Sequence, residues 1–338
     1  SIMTLVYVSH PSHRLDQYFG PRALKRLRAI AEVRLNPEPR ELATDELIAA
    51  AHGCDALIAY RQTPAPQSLF AGLPQLAAFI RCAVDIRTVD VTAASAHGVL
   101  VTQASPGFVA SVSEWIIGVM VDLARGISRY TTDYQHKGVT SPFMGRQLRG
   151  GTLGVIGYGA IGSDLVRLGL ALGMKVLVHT PEPVALLPDM QQVNLRALLA
   201  GSDFVVCLAP ANAQTANLMN ADAFKAMQPG AFFINASRGE LVDDEALLAA
   251  LDSGHLGGCA LDVGRAVDQM PSTQLARHPL VIATPHIGGL TLPAIEHQAL
   301  ETVSQLEQLL RGKMPSGAVN PEHASRLTRW SSTTKAVV

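Results

Sequence analysis

The chain has 338 residues, too many for one core at roughly 150 residues per domain, so two domains are expected. Apolar residues make up 48% and aromatic residues 5%, which excludes disorder and suits aliphatic helices packed on parallel strands. Lys plus Arg (27) against Asp plus Glu (28) gives a net charge of −1 and no electrostatic footprint for nucleic acid.

The N-terminal run SIMTLVYVSHPSHR has neither a basic leader nor a long apolar stretch, and no segment reaches the roughly 18 apolar residues of a membrane span. A cytoplasmic protein with no membrane partner is the reading. From Thr4 to Gln103 the apolar runs TLVYV, DALIAYR, LAAFIRCAV and VLVTQ alternate with helical stretches such as ALKRLRAIAEV, the rhythm of an α/β sheet. Val109 to Arg125 follows as an apolar helical pattern that can pack domains together or make a subunit contact. A second alternation then runs through LGVIGYG, KVLVHT, DFVVCLA, AFFINAS, GGCALDV and VIATPH, which predicts six parallel strands. After Pro293, apolar positions from Ile295 to Leu310 recur every three or four residues and Gly312 caps the helix, which is expected to return to the first domain. One domain is therefore placed discontinuously at 1–103 plus 290–338, the other at 104–289. The final RWSSTTKAVV reads as a loose tail. Cys54, Cys82, Cys207 and Cys259 lack CxxC or CxxH spacing, so buried free thiols are expected rather than zinc or disulfides.

Gly157, Gly159 and Gly162 stand in GxGxxG spacing after a strand and before a helix. In that context the first glycine makes a tight turn, the second admits a pyrophosphate to backbone N–H groups and the third packs helix on strand, with the phosphates on the helix N-terminus. The flanking Tyr158, Ala160 and Ile161 belong to the same cradle. The next strand should end in an acidic residue if the ribose carries a free 2′-OH, yet Thr180 stands there. No Lys or Arg occurs between Lys175 and Arg196, and Glu182 would repel a 2′-phosphate, so the reading favours NAD and leaves NADP open.

Three further segments, INASRG, ALDV and TPHIGG, end predicted strands, where open α/β sheets place ligands. Arg238 offers a planar fork for a carboxylate, or else a surface ion pair, and Asp243 reads as the N-cap of the next helix. His286 suits general acid/base work, although a structural histidine is the commoner case. Asp262 would either favour a cationic nicotinamide ring or carry a structural hydrogen bond.

In order and spacing, GVIGYGAIG, FFINASRGELVDDEALLAAL, GCALDV and ATPHIGG resemble the D-isomer-specific 2-hydroxyacid dehydrogenases, the group that includes phosphoglycerate, glyoxylate and hydroxypyruvate reductases. The likeness spans about residues 45–322. It implies two Rossmann-like, doubly wound parallel-sheet α/β domains with a cleft between them, a flavodoxin-like substrate domain and an NAD-binding domain. It implies that Arg238 binds the substrate carboxylate while His286 exchanges a proton with the substrate oxygen. It also assigns Leu208, Ala209, Pro210, Thr215, Ala236, Ser237, Arg238, Asp262, His286 and Gly288 to the cofactor site. A homodimer through the helix near 109–125 is the family-based expectation.

The chain departs from the family in two places. Relatives carry a glutamate five residues after the ALD aspartate that raises the histidine pKa, and here that residue is Val267. Asp268, one residue later, is expected to pair with His286; otherwise His286 titrates unaided. Relatives also hold the substrate carboxylate on a GVGxD-like turn, whereas this chain reads Ala83, Val84, Asp85, Ile86, Arg87. Val84 and Asp85 fall in the substrate site by this likeness, and Arg81 or Arg87 must offset Asp85 for a simple carboxylate to bind. Arg61 matches a position that reaches the far end of the substrate, where it would bind a second carboxylate or a phosphate, or else remain a solvated rim charge. The leading function is NAD(H)-dependent hydride transfer at C2 of a small 2-hydroxyacid or 2-ketoacid. The alternative is a cofactor-binding sensor or corepressor-like protein on the same fold.

Overall fold

The computed structural model describes residues 3–330. The chain divides into two compact units, one formed by the segments up to Gly107 and from Thr291, the other by Phe108–Leu290. Residues 104–107, expected in the second domain, thus belong to the first, because Ala104 N–H donates to Ala83 C=O and the Ser105 N–H and hydroxyl both donate to Glu301. Leu290 shifts the other way, into the second unit.

The first unit is a five-stranded parallel sheet in the order β2-β1-β3-β4-β5, where β1 is Leu5–Val8, β2 Glu32–Leu35, β3 Ala56–Ala59, β4 Ala78–Arg81 and β5 Leu100–Thr102. Although β3 and β4 are buried throughout, their side chains still alternate. Leu57 and Phe79 join one apolar layer, and Ile58 and Ile80 the opposite one. The returning helix Leu292–Leu310 covers the second layer with Ala299, Val303 and Leu306, and Gly312 follows it in the left-handed conformation. The second unit is a seven-stranded parallel sheet in the order β12-β11-β10-β9-β6-β7-β8: β6 Thr152–Ile156, β7 Lys175–His179, β8 Met190–Gln192, β9 Phe204–Cys207, β10 Phe232–Asn235, β11 Gly258–Leu261 and β12 Val281–Ala283. Six of these are the expected strands; β8 is an added edge. In each sheet the chain winds one way and then the other, which places a topological switch between β1 and β3 and another between β6 and β9.

Helix starts follow local chemistry. Asn194, Asn220 and Asp243 each accept a first-turn N–H. The four cysteines are buried free thiols. No helix among the described residues is long and apolar enough to cross a membrane. Of the expected loose tail, Arg329 donates to Pro74 C=O and Trp330 packs against a core layer, while residues 331–338 lie outside the described residues.

The edge strand β5 is closed by the C-terminal return rather than left open. Asn320 accepts from Val101 N–H (2.7 Å) and donates to Val99 C=O (2.9 Å), both buried, and to the half-buried Ser95 Oγ (2.9 Å). Asn320→Ala strands a buried donor and acceptor, so urea denaturation should show the first unit destabilised by about 2–4 kcal/mol.

Candidate functional site

The β6 turn is built around absent side chains. Gly157 has φ +97°, and a Cβ there would stand 2.8 Å from the Leu208 carbonyl and the Ala209 nitrogen. Its N–H donates to His179 C=O and Leu208 N–H donates to Ile156 C=O, so the turn is tied to both neighbouring strands at the switch point. A Cβ on Gly162 would come 2.5 Å from the Gly157 oxygen, which brings the helix Ala160–Ala171 hard against the turn. At Gly159 the opposite holds, because nothing lies within 4 Å of a built Cβ. Gly159 and Ala160 are exposed and Tyr158 and Ile161 half-buried, so the first N–H groups of a twelve-residue helix open onto free space. That arrangement fits a dinucleotide pyrophosphate.

Around this turn the loops hold one another. Gln192 of β8 donates to Thr180 C=O (3.2 Å) and Glu182 C=O (2.8 Å) and accepts from Val184 N–H, fixing the loop after β7. Thr215 Oγ donates to Pro210 C=O (2.6 Å) and accepts from Asn212 N–H (2.9 Å), so its hydroxyl is engaged inside its own loop. Ser237 Oγ donates to Ala209 C=O and links the ends of β9 and β10, beside a half-buried Ala236.

Arg238, Asp262 and His286 stand at the carboxyl ends of β10, β11 and β12, three adjacent strands. Asn235 shapes the first exit, accepting from Ser237 N–H and donating to Arg238 C=O. Asp262 is 4% exposed, and its carboxylate accepts three hydrogen bonds, from Thr284 Oγ (2.7 Å), Ile287 N–H (2.7 Å) and Gly288 N–H (2.8 Å). It therefore carries the structural role, holding the segment in which His286 sits. Gly288 serves the same clamp, since a Cβ there would lie 2.9 Å from Asp262 Oδ2. His286 is half-buried with φ +55° and donates its N–H to Thr284 C=O, a tight turn in a region side chains other than glycine seldom occupy.

In the first unit the fully buried Arg81 donates to Tyr60 C=O, Thr63 C=O (2.7 Å) and Thr88 Oγ (3.0 Å), bracing the loops after β3 and β4; burial brings its guanidinium down to about 10. Asp85 is offset locally, because Arg87 binds both its carboxylate oxygens at 3.1–3.2 Å. Val84 is half-buried beside it. Arg61 follows β3 at the switch point, and its guanidinium lies over the Tyr18 ring (5.5 Å) with that of Arg14 on the same ring (5.8 Å). Behind Tyr18 stand Tyr60 and a buried His10, whose imidazole burial holds down at about 3, so it is neutral at physiological pH.

Residues 117–288 match the sequence profile of D-isomer specific 2-hydroxyacid dehydrogenase, NAD binding domain. The chain belongs to the D-isomer specific 2-hydroxyacid dehydrogenase family. It is 32% identical over 285 residues to D-3-phosphoglycerate dehydrogenase 3, chloroplastic, of Arabidopsis thaliana, covering 83% of this chain and 48% of that one. It is also 32% identical over 282 residues to D-3-phosphoglycerate dehydrogenase of Bacillus subtilis (strain 168), 82% of this chain and 53% of that one. The chain thus spans about half the length of the curated relatives it matches. Among solved structures, the TT0316 protein from Thermus thermophilus superposes with TM-score 0.83 at 30% identity, covering 94% of this chain and 100% of that one. The profile is that of an NAD-binding domain, and the glycine cradle and clamped strand ends suit NAD(P).

Within this dehydrogenase family pattern one expectation fails. Asp268 does not reach His286: it is exposed, and its Oδ1 accepts from Met270 N–H two residues on (2.9 Å). Val267, at the family glutamate's place, is fully exposed. The loop instead turns Gln269 inward, 8% exposed and with φ +59°. Sequence reasoning also passed over Asn235 and Gln192, polar residues at strand ends or edges whose role is to hold loops. Gly159→Val should fill the space above the turn and abolish NADH binding by calorimetry while the protein stays folded; unchanged affinity would remove this assignment.

Proposed function

We propose that the protein is an NAD(H)-dependent oxidoreductase interconverting a 2-hydroxyacid and its 2-ketoacid (EC 1.1.1.-). The observation that carries this reading is the Asp262 clamp, which holds His286 in a strained turn two strands from Arg238 and in the same sheet as the open glycine cradle. Such pre-organisation has no use in a sensor that only retains a dinucleotide, so the dehydrogenase reading is preferred. NAD is proposed over NADP because Thr180 and the exposed Glu182 lie between Lys175 and Arg196, where there is no Lys or Arg to meet a 2′-phosphate.

When bound, NAD(H) would supply a nicotinamide able to exchange a hydride with C2 of the substrate. Gly157, Tyr158, Gly159, Ala160, Ile161 and Gly162 would hold the pyrophosphate, and Thr180, Leu208, Ala209, Pro210, Thr215, Ala236, Ser237, Asp262 and Gly288 would shape the remaining wall. Arg238 grips the substrate carboxylate in its fork and stabilises charge that develops on the adjacent carbonyl oxygen. His286 gives its proton to that oxygen in reduction and takes it back in oxidation. Reduction therefore requires the imidazolium and falls as pH rises through the His286 pKa, whereas oxidation rises over the same range. In the first unit Arg61, Val84 and Asp85 contact the substrate, and Arg61 with Arg14 suits a distal phosphate or carboxylate. The names of the phosphoglycerate-acting relatives agree with an anionic far end.

A homodimer is part of the proposal. The helix Val109–Arg125 turns one face into its own unit, and the apolar residues left outside include Val121, Ile127, Tyr134, Val139 and Met144, the last 94% exposed. The helix Ile127–Lys137 buries none of its residues. A second copy related by two-fold symmetry would cover this surface. Free buried thiols suit a reducing, cytoplasmic setting.

A panel of 2-ketoacids with and without a distal phosphate or carboxylate, followed by NADH oxidation, tests the activity. Turnover with at least one of them is expected, and none above background would overturn it. His286→Ala should lower kcat by about 10²- to 10⁴-fold with NADH binding retained. Light scattering should report a dimer for the native chain and a monomer for Met144→Asp combined with Ile127→Asp.

A further inference from the structure

In the first unit the loop after β2 brings a carboxylate, Glu41, to the carboxyl end of the sheet, and none of the functions assigned above uses it. Its Oε1 is buried and has no hydrogen-bond partner. The Thr63 hydroxyl lies close enough to favour its ionised form. That hydroxyl is shared with Ser9 Oγ (2.8 Å), which accepts from Tyr60 N–H (2.8 Å). Thr63 closes a tight turn, since its N–H donates to Tyr60 C=O (2.9 Å) and Arg81 donates to the carbonyls of both residues. Arg61 is the second residue of this turn, so Glu41 stands beside the backbone that presents Arg61.

The charges around Glu41 divide into one that is committed and one that is open. Burial raises the Glu41 carboxyl above the ordinary carboxylate range, and the Arg81 guanidinium, the Thr63 hydroxyl and the Arg61 guanidinium oppose that rise, in this order. Arg81 is fully buried and donates to two carbonyls and a hydroxyl, so it is closed to a ligand. Arg61 is half-buried over the Tyr18 ring (5.5 Å) and makes no hydrogen bond or close ion pair among the described residues. The other neighbours add no competing charge. The Tyr60 phenol is kept protonated by burial, and His10 is neutral. Asp85, on the loop after β4, is held by Arg87, and on the loop of Glu41 itself Arg40 is taken by Glu46 (2.7 Å) while Glu38 is exposed.

We propose that Glu41 is a specificity-determining residue of the substrate unit, an internal counter-charge to Arg61 that competes with the anionic far end of the substrate. This rests on the reading of Arg61 as the group that meets that end. A fixed carboxylate in a partly buried, weakly screened setting offsets some of the attraction of Arg61 for any anion. It leaves a neutral far end unaffected, so it narrows the advantage of an anionic substrate over a neutral one. Removing the charge, by protonation or by substitution, returns that advantage.

The test uses sulfate, a dianion at every pH at which the protein is folded, titrated calorimetrically into the cofactor-free chain. Glu41→Gln keeps the size of the side chain and removes its charge, and it should tighten sulfate binding about 5- to 10-fold at neutral pH. As pH falls Glu41 takes up a proton, so the native affinity should climb toward that of the variant and the gap should close. In an Arg61→Ala background sulfate should bind more weakly, and Glu41→Gln should then change nothing. Equal affinities of the native chain and Glu41→Gln at neutral pH, or sulfate binding that Arg61→Ala leaves unchanged, would overturn the proposal. If Glu41 serves only as the counter-ion of Arg81, Glu41→Gln lowers Tm without altering sulfate affinity, which also overturns it. Should Glu41→Gln fail to fold, Glu41→Met takes its place with the same expectations. Where ketoacids are reduced, Glu41→Gln should lower KM for those with a distal carboxylate or phosphate and give no such gain with pyruvate. Where none is reduced the dehydrogenase reading fails, and the sulfate titrations still decide the role of Glu41.

Discussion

The Asp262 carboxylate is buried almost completely and is satisfied by one hydroxyl and two backbone N–H groups from a single short segment, residues 284–288. A carboxylate removed from water needs such donors, and a loop with unpaired N–H groups needs such an acceptor, so each stabilises the other. Because β11 lies between β10 and β12, this one interaction sets where the His286 turn stands relative to the Arg238 exit. The left-handed conformation at His286 and the bare backbone at Gly288 follow from it.

Both units apply the same architectural rule. Their central parallel strands are apolar and buried on both faces, which leaves chemistry to the loops at the carboxyl ends. At the switch between β6 and β9 the chain places glycines and an open helix N-terminus, suited to an anion. At the switch between β1 and β3 it places His10, Tyr60 and Arg61 beside Tyr18, an edge-to-face aromatic cluster with guanidinium groups over its outer ring. The rigid sheet supplies position, and the loops supply charge.

Charge in these loops is balanced locally. Asp85 is held by Arg87 two residues away. Glu240 next to the Arg238 exit accepts from the amide of Gln269. Arg81 enters the core with three carbonyl or hydroxyl acceptors, an arrangement in which burial weakens but does not remove its charge.

The central strands were legible because a strand buried on both faces must be an apolar run, as in FFIN and GCAL. The edge strands were not: Glu32–Leu35 alternates exposed and half-buried residues and reads as the tail of the preceding helix, and Met190–Gln192 is mostly polar. The glycine turn, the Asp243 cap and the Gly312 stop were readable because their chemistry is confined to a few consecutive residues. Arg238, Asp262 and His286 could be singled out as strand-end residues, but whether Asp262 served a ligand or a loop depended on residues 22 to 26 positions away. The same limit hid which residue of the loop after β11 turns inward. In an irregular loop no periodicity says which neighbour faces inward; the Gly264 to Gln269 backbone bond and the left-handed turn at 269 determine it. Sequence alone determined which residue types stand at each strand end, through local propensity and burial, whereas side-chain direction and pairing were decided by hydrogen bonds between segments that meet only after folding.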